Sequence, residues 1–354
     1  MTRTTQVLAT AWLVLTAACA PAVPATQVEE IPPSPAPTAT AVPAVPDKIK
    51  VGVTSLLTHA PLYIAQEAGY YEEQGLDVEL VSFGARGGTE ILAALIQSQI
   101  DVAATAVSSG MINGIGEGGG IKIVADKGFY PSGAPCSDAA VMARTELLES
   151  GALEDPDSLR GLTTRGGGGA TISELMISTL LAEHGLTLAD MKLIDMDFAT
   201  SLEAFKTDSL DIAVMGEPWI TRARLAGAAE VWAGGGELLP NYSSGVLAFS
   251  PDMLARDPDV GIRFMTAYLQ GVRKLEEGKT EENVAVIAGY TQLDPAEVSQ
   301  LCWPEFEPTG TVHPEFLVEF QQWLSDVGHL NAILPVEEIW DPQYVDGAIA
   351  RLGG

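Results

Sequence analysis

From Lys48 onward the chain alternates between two hydrophobic periods. KIKVGVT at 48–54 alternates β-branched and polar positions and predicts a strand; PLYIAQEAGYYEEQG at 61–75 sets Leu62, Ala65, Ala68 and Tyr71 near the helical repeat and predicts a helix. Pro61 suits a first helical turn, where its missing N–H is not needed, and Gly75 suits the stop. The pair then recurs as strand DVELVSF, helix TEILAALIQSQ, strand IDVAATA, helix SGMINGIGEG and strand IKIVADKG. Such alternation with short connections predicts a mostly parallel sheet covered on both faces. Between residues 129 and 160 the rhythm breaks into loop, the strand AAVMAR and a short helix, which marks a crossing into a second domain. A second alternating unit begins at SLRGLTTRGGGG and runs through helix TISELMISTLLAEHG, strand MKLIDMD, helix ATSLEAFKTDS, strand LDIAVMG, helix EPWITRARLAG and strand AEVWAGG. GVLAFS at 245–250 reads as a return strand. The helical patterns beyond it, ending near 343–352, have no strands of their own and must pack on an existing sheet.

The length of 354 residues favours two domains. Lys plus Arg number 19 against 47 Asp plus Glu, a formal charge of -28 that repels phosphate backbones, so nucleic-acid binding is excluded and adhesion to anionic lipid through a basic patch is disfavoured. Residues 1–18 have the form of a secretory signal: Arg3, an apolar run from Val7 to Leu15 too short for a permanent span, then small residues. Leu15-Thr16-Ala17-Ala18-Cys19 resembles a bacterial lipobox, with Thr16 where such motifs usually carry Leu, and Cys19 is expected to be the lipid anchor. Ordinary secretion is the alternative. Of the chain's 22 prolines, 8 fall in residues 20–46, so 19–47 reads as a Pro/Thr-rich tether, able to reach ~80 Å if extended. The remaining cysteines, Cys136 and Cys302, are placed in an oxidising compartment, where pairing is open and two buried free thiols are the favoured reading. The histidines at 59, 184, 313 and 329 have no metal spacing, and neither a metal nor a cofactor is expected.

The segment KIKVGVTSLLTHAPLYIAQEAGYYEEQGLDVELVSF resembles the first domain of solute-binding proteins of ABC importers in the nitrate, taurine, alkanesulfonate and thiamine-pyrimidine-precursor group. ILAALIQSQIDVAATAVSS, DSLRGLTTRGGGGATISELM and SLEAFKTDSLDIAVMGEPW continue the likeness in order, over about 48–280. The resemblance implies an α/β, two-domain periplasmic-binding-protein-like fold of type II, with a ligand cleft between domains joined by two hinge strands. Domain 1 would be discontinuous, 48–140 with 245–354, and domain 2 would be 141–244.

In such a fold ligand contacts gather in loops at the carboxyl ends of parallel strands, where helix N-termini present unpaired N–H groups. The first loop, 54–60, offers Ser55, Leu57 and His59, with Thr58 either a helix cap or a contact and His59 either a contact or an exposed loop residue. Arg86 on the glycine turn at 83–89 can clamp an acidic ligand or remain solvated. Ser108 and Ser109 open a helix, which capping alone would explain. The glycine-rich run 163–171 contributes Arg165, Gly168 and Thr171; it lacks the Lys and Ser/Thr of a phosphate-binding loop. Glu217-Pro218-Trp219 resembles the family's acid-Pro-aromatic motif, with Trp219 expected in the cleft and Glu217 as a helix cap.

The implied function is a non-catalytic, membrane-tethered, extracytoplasmic binding protein, acting as a monomer, that closes over a small molecule and delivers it to an ABC permease and ATPase. Arg165 and Arg86 suit a sulfonate or carboxylate, whereas His59 and Trp219 suit a ring such as a pyrimidine or a flavin-like heterocycle. A ligand-sensing receptor subunit is one rival. A thiamine-pyrimidine synthase-like enzyme using iron and pyridoxal phosphate is the other, but its Cys-rich signature is absent and no catalytic residues are legible.

Overall fold

The computed structural model describes residues 45–83, 87–134, 136–166 and 169–353. Ten strands lie in it: β1 Asp47–Val53, β2 Leu76–Ser82, β3 Val102–Thr105, β4 Lys122–Asp126, β5 Ala139–Arg144, β6 Thr163–Arg165, β7 Lys192–Ile194, β8 Ile212–Gly216, β9 Ala229–Gly234 and β10 Val246–Phe249. They form two five-stranded sheets, ordered β2-β1-β3-β10-β4 and β7-β6-β8-β5-β9.

Two strands run against the otherwise parallel arrangement: β10 is antiparallel to β3 and β4, and β5 is antiparallel to β8 and β9. They are the first strands after each passage of the chain between sheets. An antiparallel strand starts beside its neighbours' carboxyl ends, so both passages lie at the carboxyl edges, where α/β sheets gather their ligand loops.

The C-terminal helices cover the first sheet, as their unpartnered apolar stripes require. From β10, Phe249 meets Tyr344 with ring centroids 4.9 Å apart and Phe264 at 6.1 Å. Helix Pro258–Leu275 approaches helix Ala60–Glu67 closely because Gly271 has no side chain; a Cβ there would stand 2.2 Å from the Pro61 carbonyl oxygen. The single helix predicted over 61–75 is in fact two, Ala60–Glu67 and Tyr70–Glu73, because Gly69 adopts φ +77° between them. Among the described residues no helix is long and apolar enough to cross a membrane.

The two passages pair with each other. Lys127 N–H donates to Gly245 O (2.9 Å), Ser244 N–H to Gly128 O (2.7 Å) and Tyr130 N–H to Tyr242 O (2.9 Å). Phe129 N–H turns outward to Glu305 O (3.0 Å), so a C-terminal segment becomes the third member of the ribbon. A Cys136–Cys302 disulfide, with Cα atoms 5.9 Å apart, fastens that segment to the first passage. The favoured expectation of two free thiols is thereby corrected. Residues 166 apart in sequence gave no sign of their proximity, which the fold creates by bringing the tail back to the ribbon.

Candidate ligand-binding site

The sequence-predicted loops that carry Leu57, Ser109, Ala170 and Glu217 converge where the carboxyl edges of the sheets meet. From the first sheet, Leu57 N–H donates to the Glu217 carbonyl oxygen (3.1 Å) at the end of β8. On the other side, Ser109 N–H donates to Ala170 O (3.0 Å), and Ser108 forms an isolated bridge with Thr171. The glycine-rich run and the acid-Pro-aromatic motif therefore each touch a loop of the opposite sheet.

Several predicted residues have definite structural work in this arrangement. Ser108 caps helix Ser109–Gly116 by accepting from Met111 N–H (3.2 Å). Thr171 and Glu174 form a reciprocal capping box on helix Ile172–Glu183, with Thr171 N–H donating to Glu174 Oε2 (2.8 Å). The Glu217 carboxylate accepts from Thr221 N–H (3.1 Å) and Thr221 Oγ1 (2.8 Å), holding the start of its helix. It also accepts from Cys302 N–H (3.2 Å), a contact from the opposite sheet's C-terminal segment. Burial pushes the Glu217 carboxyl up from its ordinary pKa, and the Thr221 hydrogen bonds oppose the shift.

Leu57 is buried and Ser55 exposed. His59 is buried, with Nε2 3.1 Å from Ala104 O and Nδ1 3.3 Å from Leu56 O. A neutral imidazole has one N–H to give, so it can donate to only one of them. Burial, with Lys127 nearby, lowers the His59 pKa to about 3 and keeps the ring neutral. Arg165 stacks over Phe198, its guanidinium carbon 4.3 Å from the ring centroid, among the carboxylates of Glu174, Asp195 and Asp197. Burial lowers its pKa to about 10 against the pull of those acids. Trp219 is half-buried against the core of the second sheet, and Arg222 lies 4.9 Å from its ring centroid. Arg86, Gly168 and Cys19, with the signal and the tether as far as residue 44, lie outside the described residues.

Three charged residues that sequence reasoning missed stand at the passages between sheets. Lys127 is 3% exposed, and its ammonium donates to Thr58 Oγ1 (2.8 Å). Asp126, 1% exposed, accepts from Gly128 N–H through Oδ2 (2.8 Å), and Asp138 is 5% exposed. Burial raises both aspartates to about 7; it lowers Lys127 to about 8, while the two carboxylates resist that change. The only sequence signal was a charged pair closing an apolar strand, IVADKG, which equally describes a solvated strand end.

Residues 57–277 match the model of the family described as NMT1/THI5 like, a span that takes in every strand of the two sheets except β1. The chain belongs to the NMT1/THI5-like family. Among curated proteins, it is 23% identical over 280 residues to the putative binding protein YtlA of Bacillus subtilis, covering 78% of this chain and 80% of that one. Among solved structures, it resembles the periplasmic nitrate-binding protein NrtA of Synechocystis PCC 6803, with TM-score 0.73, 16% identity and coverage of 87% of this chain and 89% of that one. The alkanesulfonate-binding protein SsuA of Xanthomonas axonopodis, bound to MOPS, gives TM-score 0.68 and 18% identity, covering 84% and 99%. At these identities the structural likeness establishes the fold that this NMT1/THI5-like chain shares with them.

Proposed function

We propose that the protein is a non-catalytic, extracytoplasmic solute-binding subunit of an ABC importer. In this reading residues 48–140 with 245–354 form one lobe and residues 141–244 the other. A small organic molecule is enclosed between them, and the closed form presents the ligand to a permease and ATPase. The observation that carries the reading is the pairing of loops from the two sheets, Leu57 with Glu217 and Ser109 with Ala170, at the carboxyl edges that also receive both chain passages. A molecule touching both sets of loops favours closure by its differential affinity for the closed form. The family membership and the names of its relatives support the same reading. The disulfide agrees with an oxidising compartment, and Cys19 with the Pro/Thr tether would hold the protein as a monomeric lipoprotein on the outer face of the cytoplasmic membrane.

The test is expression of the full chain in a bacterium that processes lipoproteins, followed by membrane fractionation and mass spectrometry of small molecules released on denaturation. The protein should pellet with membranes, leave them on Cys19→Ser substitution and release one dominant organic compound. A wholly soluble wild type would reject the anchor. Absence of any released compound, with an unchanged radius of gyration after refolding, would reject enclosure of a solute.

A further inference from the structure

The apolar cores of the two sheets merge on one side of the molecule and stay apart on the other. On one face of the first sheet, Val51, Val102, Leu247 and Phe249 share with Leu57 a core confined to that sheet and its helices. On one face of the second, Met142, Met215 and Ile220 belong to a core confined to that sheet. Among the described residues these two cores are separate. The opposite faces share a single core. It takes in Met111 and Ile112 from helix Ser109–Gly116 of the first sheet, Ile172 from helix Ile172–Glu183 of the second, and Phe316, Phe320 and Leu324 from helix Pro314–Asp326.

Helix Pro314–Asp326 ties the two sides of this seam together. Trp323 Nε1–H donates to Ser178 Oγ (3.3 Å) on the second sheet's helix, and Phe316 meets Tyr242 of the second chain passage with ring centroids 5.3 Å apart. The loop that follows is fastened to the first sheet's helix: Asn113 Nδ2 donates to His329 O (3.0 Å), and Asn331 N–H to Asn113 Oδ1 (3.0 Å).

Each side also carries a backbone hydrogen bond between the sheets. Ser109 N–H to Ala170 O lies on the seam, where Ala170 is itself part of the shared core. Leu57 N–H to Glu217 O lies where the cores are separate, and what reinforces it is polar. The Glu217 carboxylate accepts from Cys302 N–H, in a segment that the disulfide holds to the first passage. Parting the seam would expose aromatic and aliphatic side chains to water, at a cost that grows with their area. Parting the Glu217 side exchanges hydrogen bonds within the chain for hydrogen bonds to water and returns a buried carboxylate to solvent, so it costs far less.

We propose that the sheets part on the Glu217 side alone, turning on the seam held by helix Pro314–Asp326, and that Glu217 is the clasp that keeps that side shut. Its carbonyl oxygen holds the first ligand loop and its carboxylate holds the C-terminal segment. Releasing both makes one entrance, with residues 54–60 and 301–305 on one bank and residues 216–219 on the other. What the entrance admits rests on the solute-binding reading; the direction of opening does not.

Hydrogen exchange of the full chain as purified, resolved to single amides by mass spectrometry, tests the arrangement. No solute is added, so the outcome is independent of the compound-release test that judges the solute-binding reading. Leu57 and Ser109 are matched reporters, donating between the sheets at 3.1 and 3.0 Å. After correction for intrinsic rates, Leu57 and Cys302 should exchange at least tenfold faster than Ser109. Glu217→Ala should speed Leu57 at least another tenfold, although its acceptor, the backbone carbonyl of residue 217, is still present. Ser109 and helix Pro314–Asp326 should keep their rates, and Glu217→Gln, which still offers an acceptor oxygen, should restore the wild-type rate at Leu57. If Glu217 only capped its own helix, Glu217→Ala would speed the amides of residues 219–225 and leave Leu57 unmoved. That result, equal protection of Leu57 and Ser109 in the wild type, or a rise on both sides together in Glu217→Ala would overturn the proposal. The wild-type comparison decides alone if Glu217→Ala does not fold.

Discussion

Lys127 can lie in the interior because Gly245, paired with it across the ribbon, has no side chain. A Cβ at position 245 would stand 2.8 Å from Lys127 Cε and 3.0 Å from both Lys127 Nζ and the Thr105 carbonyl oxygen. The carbonyl cannot yield, so the lysine must. Gly245→Ala should push the ammonium off Thr58 Oγ1 and cost about 1–3 kcal/mol, the usual range for overpacking a filled interior. Chemical denaturation of the variant checks this, and wild-type stability would show that Lys127 has room to move. The same residues mark the limit of what the sequence discloses. The capping roles of Ser108 and Glu217 were legible because a cap has fixed spacing to the N–H it satisfies, whereas Thr171, expected as a ligand contact, caps its helix as well. Asp126, Lys127 and Asp138 were not, because charges enter an interior only when distant segments cover them, and the covering glycine lies more than a hundred residues away.

At the scale of elements, hydrophobic period located nearly all of the strands and long helices, and failed where one residue or one long-range contact decides. Gly69 divides a helix whose apolar stripe is continuous in sequence, and the reversed direction of β5 and β10 follows from how the chain passes between sheets, on which period is silent. The disulfide belongs to this second class. It joins the loop before β5 to the segment after helix Pro295–Gln300, and the same segment gives Cys302 N–H to Glu217 and Glu305 O to Phe129. A crosslink between residues 166 apart removes much freedom from the unfolded chain. Replacing both cysteines with serine should therefore cost about 2–5 kcal/mol. Thermal melts with and without reductant provide the check: reductant should bring the wild type to the variant's melting temperature and leave the variant unmoved. Equal melting of all four samples would assign the bond no part in stability.

For the whole molecule, the proposed cycle requires that the loops at the carboxyl edges part and meet again, and Gly216 lies at that junction. It ends β8, directly before Glu217, and a Cβ there would stand 3.5 Å from Leu56 Cδ2 and 3.7 Å from the Asp138 carbonyl oxygen. One carbon fits, but a branched side chain does not. Gly216→Leu should thus act as a wedge against Leu56, breaking the Leu57–Glu217 hydrogen bond at the very end of the β5–β8 ladder, where Gly216 pairs with Ala139, and leaving the rest of both sheets in place. Small-angle scattering should give a larger radius of gyration than wild type, with no compaction when the co-purified compound is restored. Far-UV circular dichroism should stay the same. Gly289→Leu is the control, because position 289 has open space around it on a surface helix and should leave scattering and binding unchanged. If the two lobes are instead one rigid body, Gly216→Leu must distort a packed interior. It would then lower stability by several kcal/mol without enlarging the molecule. Scattering and denaturation on the same two variants separate these outcomes, and a destabilised but equally compact Gly216→Leu protein would remove closure from the mechanism.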